Sequence, residues 1–121
     1  MNNNSSESTI QFEVQEAGEF ALSHVLNYPN PFTTSTSFFF EHNQLCDNLD
    51  VLIQVFTVSG KLVKTITQDV YNECFRSDGI VWDGRDDFGD QLAKGVYIYK
   101  LKVRNSRGEI AEEIEKLVIL K

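Results

Sequence analysis

Hydrophobic and polar residues alternate along most of this chain. In DVLIQVFTVSGKLVKTI (50–66), Val51, Ile53, Val55 and Thr57 fall on one side of an extended backbone, and Leu52, Gln54, Phe56 and Val58 on the other. That is the period-two pattern of a strand. Ser59-Gly60 reads as a two-residue turn, and Leu62, Lys64 and Ile66 then alternate with Val63 and Thr65, completing a β-hairpin. In GVYIYKLKVR (95–104), Tyr97, Tyr99, Leu101 and Val103 share the core side, while Lys100, Lys102 and Arg104 share a partly wet side with Val96 and Ile98. TSFFFEH (36–42) and SHVLNY (23–28) read as strands, GIVW (79–82) as a short one, and TIQFEV (9–14) as a weaker candidate.

One segment competes. RGEIAEEIEKL (107–117) carries Ile110, Ile114 and Leu117 at helical spacing, but the run Leu117-Val118-Ile119-Leu120 favours a final strand. About seven short strands separated by turn signals predict an all-β fold, an immunoglobulin-like antiparallel β-sandwich. The run Phe38-Phe39-Phe40 belongs to its core, and Pro29 and Pro31 keep their segment out of a sheet ladder.

Length and charge narrow the function. At 121 residues with nine phenylalanines, the chain suits one hydrophobic core. Residues 1–8 read as a polar lead-in without the basic and apolar regions of a signal peptide, and 9–121 as one domain from the end of a longer chain. A formal charge of -7 repels phosphate backbones and anionic lipid surfaces, so neither nucleic-acid nor membrane-surface binding is expected. No apolar run approaches the roughly 20 residues of a membrane helix, so direct membrane insertion is not expected either.

The densest chemistry is WDGRDDFGD (82–90), with carboxylates at Asp83, Asp86, Asp87 and Asp90. A calcium loop of EF-hand type needs glycine at its sixth position and glutamate at its twelfth, and counting from Asp83 those are Phe88 and Lys94. The expectation is a folded connector: Trp82 in the core, Asp and Gly bending the backbone, and Leu92 plugging the bottom of the sandwich. No metal or other cofactor is expected. Cys46 and Cys74 lack the paired spacing of a zinc site and stand as either a disulfide or two free thiols. Catalysis by carboxylates needs two of them held apart in a pocket, which clustered turn aspartates do not provide, so the domain is read as non-enzymatic.

Four motifs in order, NYPNPF (27–32), VFTVSGKLVKTI (55–66), WDGRDDFGDQLAKGVYIYKLKV (82–103) and EKLVILK (115–121), resemble the C-terminal sorting domains of type IX secretion cargo. These are immunoglobulin-like domains related to one in the flagellar hook-capping protein. Within the family the chain is most like the domain that ends a cell-surface cysteine-protease sortase of Bacteroidetes such as Porphyromonas. The resemblance implies a domain that passes through the periplasm and the outer-membrane translocon and then docks its parent at the cell surface. It implies two kinds of partner, an outer-membrane barrel shuttle of PorV type and the proteins of the attachment complex, with the protease residues upstream.

Lys116, Leu117, Val118, Ile119, Leu120 and Lys121 are the expected docking element, because apolar residues occupy both faces there and an open edge can pair with another protein's strand. Cover of the second face by the segment around Ile10 to Val14 is the competing explanation, and the edge also permits a strand-paired dimer. Gly95 is expected in a turn conformation closed to other residues, and Tyr97 as a tyrosine corner. In an immunoglobulin topology the loops after the second and fourth strands share one end, so a Cys46–Cys74 disulfide is geometrically allowed, and an oxidising surface compartment permits it. Two other functions fit a sandwich of this size: an adhesion or glycan-binding module using Tyr71, Phe75 and Phe88, and a rigid structural spacer.

Overall fold

The runs with period-two alternation are the strands. The computed structural model describes residues 19–120, apart from the side chains at 72 and 73. It contains β1 (Leu22–Tyr28), β2 (Thr36–His42), β3 (Asp47–Thr57), β4 (Leu62–Glu73), β5 (Ile80–Trp82), β6 (Gly95–Arg104) and β7 (Ile110–Ile119). The lead-in at 1–8, the strand expected at 9–14 and Lys121 lie outside the described residues. The competing helix is a strand: Ala111 faces Val103 and Leu117 faces Tyr97 in the β6–β7 ladder, while Ile110 and Ile114 lie on the exposed side.

Two antiparallel sheets stack into the expected sandwich, one in the order β1-β2-β5 and the other in the order β4-β3-β6-β7. The second sheet follows from the β3–β4 turn, which is too short to let β4 cross to the other layer. That turn encloses three residues rather than the expected two: Thr57 donates its N–H to Lys61 O at 2.9 Å, and Val58, Ser59 and Gly60 lie between. Gly60 sits at φ 98, the left-handed conformation that closes such a loop.

Burial follows the alternation. Leu49, Val51, Ile53 and Val55 of β3 and Tyr97, Tyr99, Leu101 and Val103 of β6 are buried, against Phe38 and Phe40 of the facing sheet. Phe38 joins the layers, its ring 4.9 Å from Tyr99 edge-on and 6.1 Å from Trp82 in a stacked arrangement. Phe39, in the middle of the aromatic run, points outward, and its ring lies over Gly79, where any Cβ would stand 3.0 Å from it.

The two tyrosines of β6 differ in their polar ends. Tyr97 donates its hydroxyl to Ala93 O at 2.7 Å, the corner expected of it, so its ring is buried without stranding a donor. Tyr99 is 1% exposed, and its hydroxyl has no hydrogen-bond partner among the described residues. Burial, with help from the Glu115 carboxylate, pushes the Tyr99 phenol above its ordinary range. Tyr97→Phe is therefore expected to cost about 1 kcal/mol and Tyr99→Phe to cost nothing or to stabilise slightly. Urea unfolding midpoints of the two variants check the contrast.

Candidate functional site

The expected docking element divides between core and surface. Leu117 and Ile119 are 0% and 1% exposed and serve the sandwich, facing Tyr97 and Gly95 in the β6–β7 register. Lys116 and Leu120 are exposed and Val118 is half-buried, so the outward side of the strand carries what another protein can reach. The apolar residues on both faces thus have two explanations. One set fills the core and the other coats the outer sheet face.

The open edge expected at this end is occupied. Phe32 donates its N–H to Val118 O at 3.1 Å and accepts the Leu120 N–H at 2.8 Å, a parallel bridge onto β7. Asn30 adds its side chain, accepting the Val118 N–H at 3.0 Å and donating to Lys116 O at 3.4 Å. Pro29 and Pro31 have no N–H, so Asn30 and Phe32 carry all the donation from this segment. Phe32 is itself 2% exposed, with its ring 5.8 Å from Trp82. Strand addition at 116–120, whether by a partner or by a second copy, would have to displace this segment. Farther up β7, Glu113 and Glu115 occupy core-side register positions yet are exposed, a placement of charge that discourages pairing along an edge.

Three of the four aspartates of the acidic loop accept backbone N–H groups. Asp86 Oδ1 accepts the N–H groups of Phe88 and Asp90, both at 2.9 Å, Asp86 N–H reaches Asp90 O, and Gly89 follows at φ 88. The same arrangement recurs at two hairpins: Thr57 takes the Lys61 N–H on its hydroxyl, and Asn105 takes the Arg107 and Glu109 N–H groups on its side chain. A short polar side chain followed three residues later by glycine marks all three turns, a signal present in the sequence. Asp83 accepts the Arg85 N–H, and Asp87 accepts the Thr65 N–H at 3.2 Å beside Lys64, which ties the loop to the free edge of β4. Trp82 donates its indole N–H to Arg85 O at 2.9 Å.

Cys46 and Cys74 form a disulfide at the open end of the β3–β4 hairpin, where Asp47 pairs with Glu73. Of the aromatics considered for a glycan platform, Phe88 lies at one end of β4 and Tyr71 and Phe75 at the other. Phe88 sits in the acidic loop beside Leu62, Tyr71 lies toward the other end of β4, and Phe75 packs 6.4 Å from His42.

Around the terminal strand the outer face of the four-stranded sheet continues without a break. Val118 faces Val96 and Lys116 faces Ile98 across β6–β7, Ile98 faces Phe56 on β3, and Phe56 faces Leu62 on β4. Farther along, Arg104 is held by Asp50 at 2.8 Å. That bond keeps the Asp50 carboxyl below its usual range, while the neighbouring Asp69 is pushed up by Asp50.

No protein-family model and no curated protein matches this chain. Solved structures do. The crystal structure of dimeric latent PorU from Porphyromonas gingivalis matches over 91% of this chain with a TM-score of 0.73 and 24% identity. This chain spans 10% of that PorU chain. FlgD from Xanthomonas campestris, whose structure concerns flagellar hook capping, matches over 84% of this chain and 69% of its own, with a TM-score of 0.57 and 18% identity. Truncated FlgD from Helicobacter pylori gives 0.53 and 22% over 84% of this chain and 72% of its own. What they share with this chain is the fold.

Asp86→Ala, which strips two backbone donors of their acceptor, is expected to cost about 1 to 2 kcal/mol, whereas Asp86→Asn keeps the acceptor and stays within about 0.5 kcal/mol. Millimolar calcium should leave the melting temperature of the parent protein unchanged; a rise that Asp86→Asn abolishes would make the loop a cation site. Reducing the disulfide, which closes a sequence separation of 28, should lower stability by about 3 kcal/mol in denaturant titrations.

Proposed function

We propose that this domain is a non-catalytic sorting and docking module of type IX secretion. In this reading it directs its parent through the outer-membrane translocon and holds it at the cell surface on a barrel of PorV type, among the proteins of the attachment complex. A parent of PorU type, with its protease residues upstream, is the member of the family that the motifs favour.

One observation carries the reading: three of the four motifs behind the family resemblance, 27–32, 82–103 and 115–121, converge on a single assembly around β7. NYPNPF supplies Asn30 and Phe32, which bond the backbone of residues 116–120. WDGRDDFGD supplies Trp82, on which Phe32 packs. GVYIYKLKV supplies the neighbouring strand, and EKLVILK is the strand being held. Sequence devoted to fixing one strand, with Lys116, Val118 and Leu120 left outward, fits a strand that another protein reads. The fold match to PorU over 91% of the chain is consistent with this and by itself speaks only to architecture.

Truncation is a poor test, since removing Leu117 and Ile119 empties the core. Lys116→Glu with Leu120→Asp changes only exposed positions. In a titration against a purified PorV-type barrel, the parent domain should bind, and the double variant should bind at least about tenfold more weakly with an unchanged melting temperature. Equal binding by both would move recognition off this strand. Absence of binding by the parent domain would remove the docking reading.

A further inference from the structure

The outward side of β7 is one border of a larger surface whose composition departs from that of the chain. The row Leu62-Phe56-Ile98 crosses three strands, with Val96 and Val118 beside it on β6 and β7. Leu62 and Val96 are 44% and 47% exposed, and Val58 at the adjoining hairpin is 71% exposed. This is a continuous apolar band on a sheet face that meets no second layer among the described residues. An apolar band of this kind on a single domain marks a place where another molecule sits.

Charge identifies what sits there. The chain as a whole is at -7, yet Lys100, Lys102 and Lys116 stand on this face alongside the band. Elsewhere Arg104 is paired with Asp50, Arg107 with Glu109, Lys64 with Asp87, Arg76 with Glu41 and Arg85 with Asp83, while Lys61 beside Leu62 and Lys94 beside Gly95 make no such pair among the described residues. No such ion pair is made by Lys100, Lys102 or Lys116 among the described residues. Lys102 stands opposite Glu112, whereas Lys100 and Lys116 stand opposite Ile114 and Ile98 beside the apolar row, the complement of a surface with an apolar centre and a carboxylate rim. Repulsion from a net charge of -7 grows with the charge of the opposing surface, so it weighs more against a continuous anionic lipid or lipopolysaccharide layer than against a rim of a few carboxylates.

We infer that the outer face of the four-stranded sheet, centred on Phe56, Ile98, Val96 and Val118 and flanked by Lys100 and Lys116, is the docking surface, and that its occupant is a protein surface with an apolar centre ringed by Asp and Glu. The inference rests on the docking reading above and extends it from one strand to a face built by β3, β4, β6 and β7. The band excludes water at the centre of the contact. The lysines set orientation and rate of encounter.

The test uses the chain with a purified PorV-type barrel in detergent, at low and at physiological salt. Lys100→Glu with Lys116→Glu, and separately Ile98→Thr, should each raise the Kd at least about tenfold, and binding by the parent chain should weaken as salt rises. Leu26→Thr and Tyr28→Thr, exposed on the other sheet, should bind as the parent does. Lys116 is exposed and Lys100 half-buried, so the charge-reversed pair, with its melting temperature measured beside its Kd, reports on recognition even where Ile98→Thr lowers stability. Parent-like binding by the face variants overturns this surface while leaving the docking reading in place. No binding by the parent chain overturns both. Binding to lipopolysaccharide vesicles that the lysine reversal abolishes, with the barrel alone inert, replaces the acidic protein with a glycolipid and overturns the proposed occupant.

Discussion

The backbone of Phe32 is the point on which the arrangement turns. Its N–H and C=O bond across Val118 and Leu120, while its ring packs against Trp82 in the core. An edge strand with unpaired backbone groups is a standing liability, and here one residue satisfies that end of the edge and anchors it at the same time. Leu117 and Ile119 can then be buried with certainty of register, since a slip by one residue would turn Lys116 and Val118 inward. The outward side of β7 is fixed as a consequence of the inward side.

The strands were legible because their period of two is a local property. TSFFFEH coincides with β2, and the face assignments of β3 and β6 agree with the observed burial. Hairpin geometry was read less well: Ser59-Gly60 looks like a two-residue turn until the hydroxyl of Thr57 is seen to bind the Lys61 N–H. That bond depends on a residue three places before the glycine, a spacing shared with Asp86 and Asn105.

What could not be read lies at long range. The closure of the β7 edge joins residues 86 and 88 positions apart, and nothing in Asn-Pro-Phe announces a partner so distant. The apolar band on the outer sheet face was hidden for a different reason. Phe56, Ile98 and Val118 alternate with core residues as any half-wet strand does, and only the register of four strands shows that they adjoin. In the acidic loop the sequence did not show that Asp83 and Asp86 would accept backbone N–H groups of their own turn, and Asp87 one of β4.

The long closure between Asn30–Phe32 and β7 bears on when the molecule becomes recognisable. Contacts this far apart in sequence form late, because the intervening chain must be ordered before they repay its lost freedom. Until Leu117 and Ile119 reach the core, β6 has β3 on one side only and the outer face lacks its β7 border. A nascent or cleaved chain that stops short of residue 119 would therefore carry Lys116 and Val118 without fixing them beside Ile98 and Val96. Folding itself then acts as a proofreading step, and a partner that recognises the assembled face inspects the integrity of the polypeptide as well as its identity.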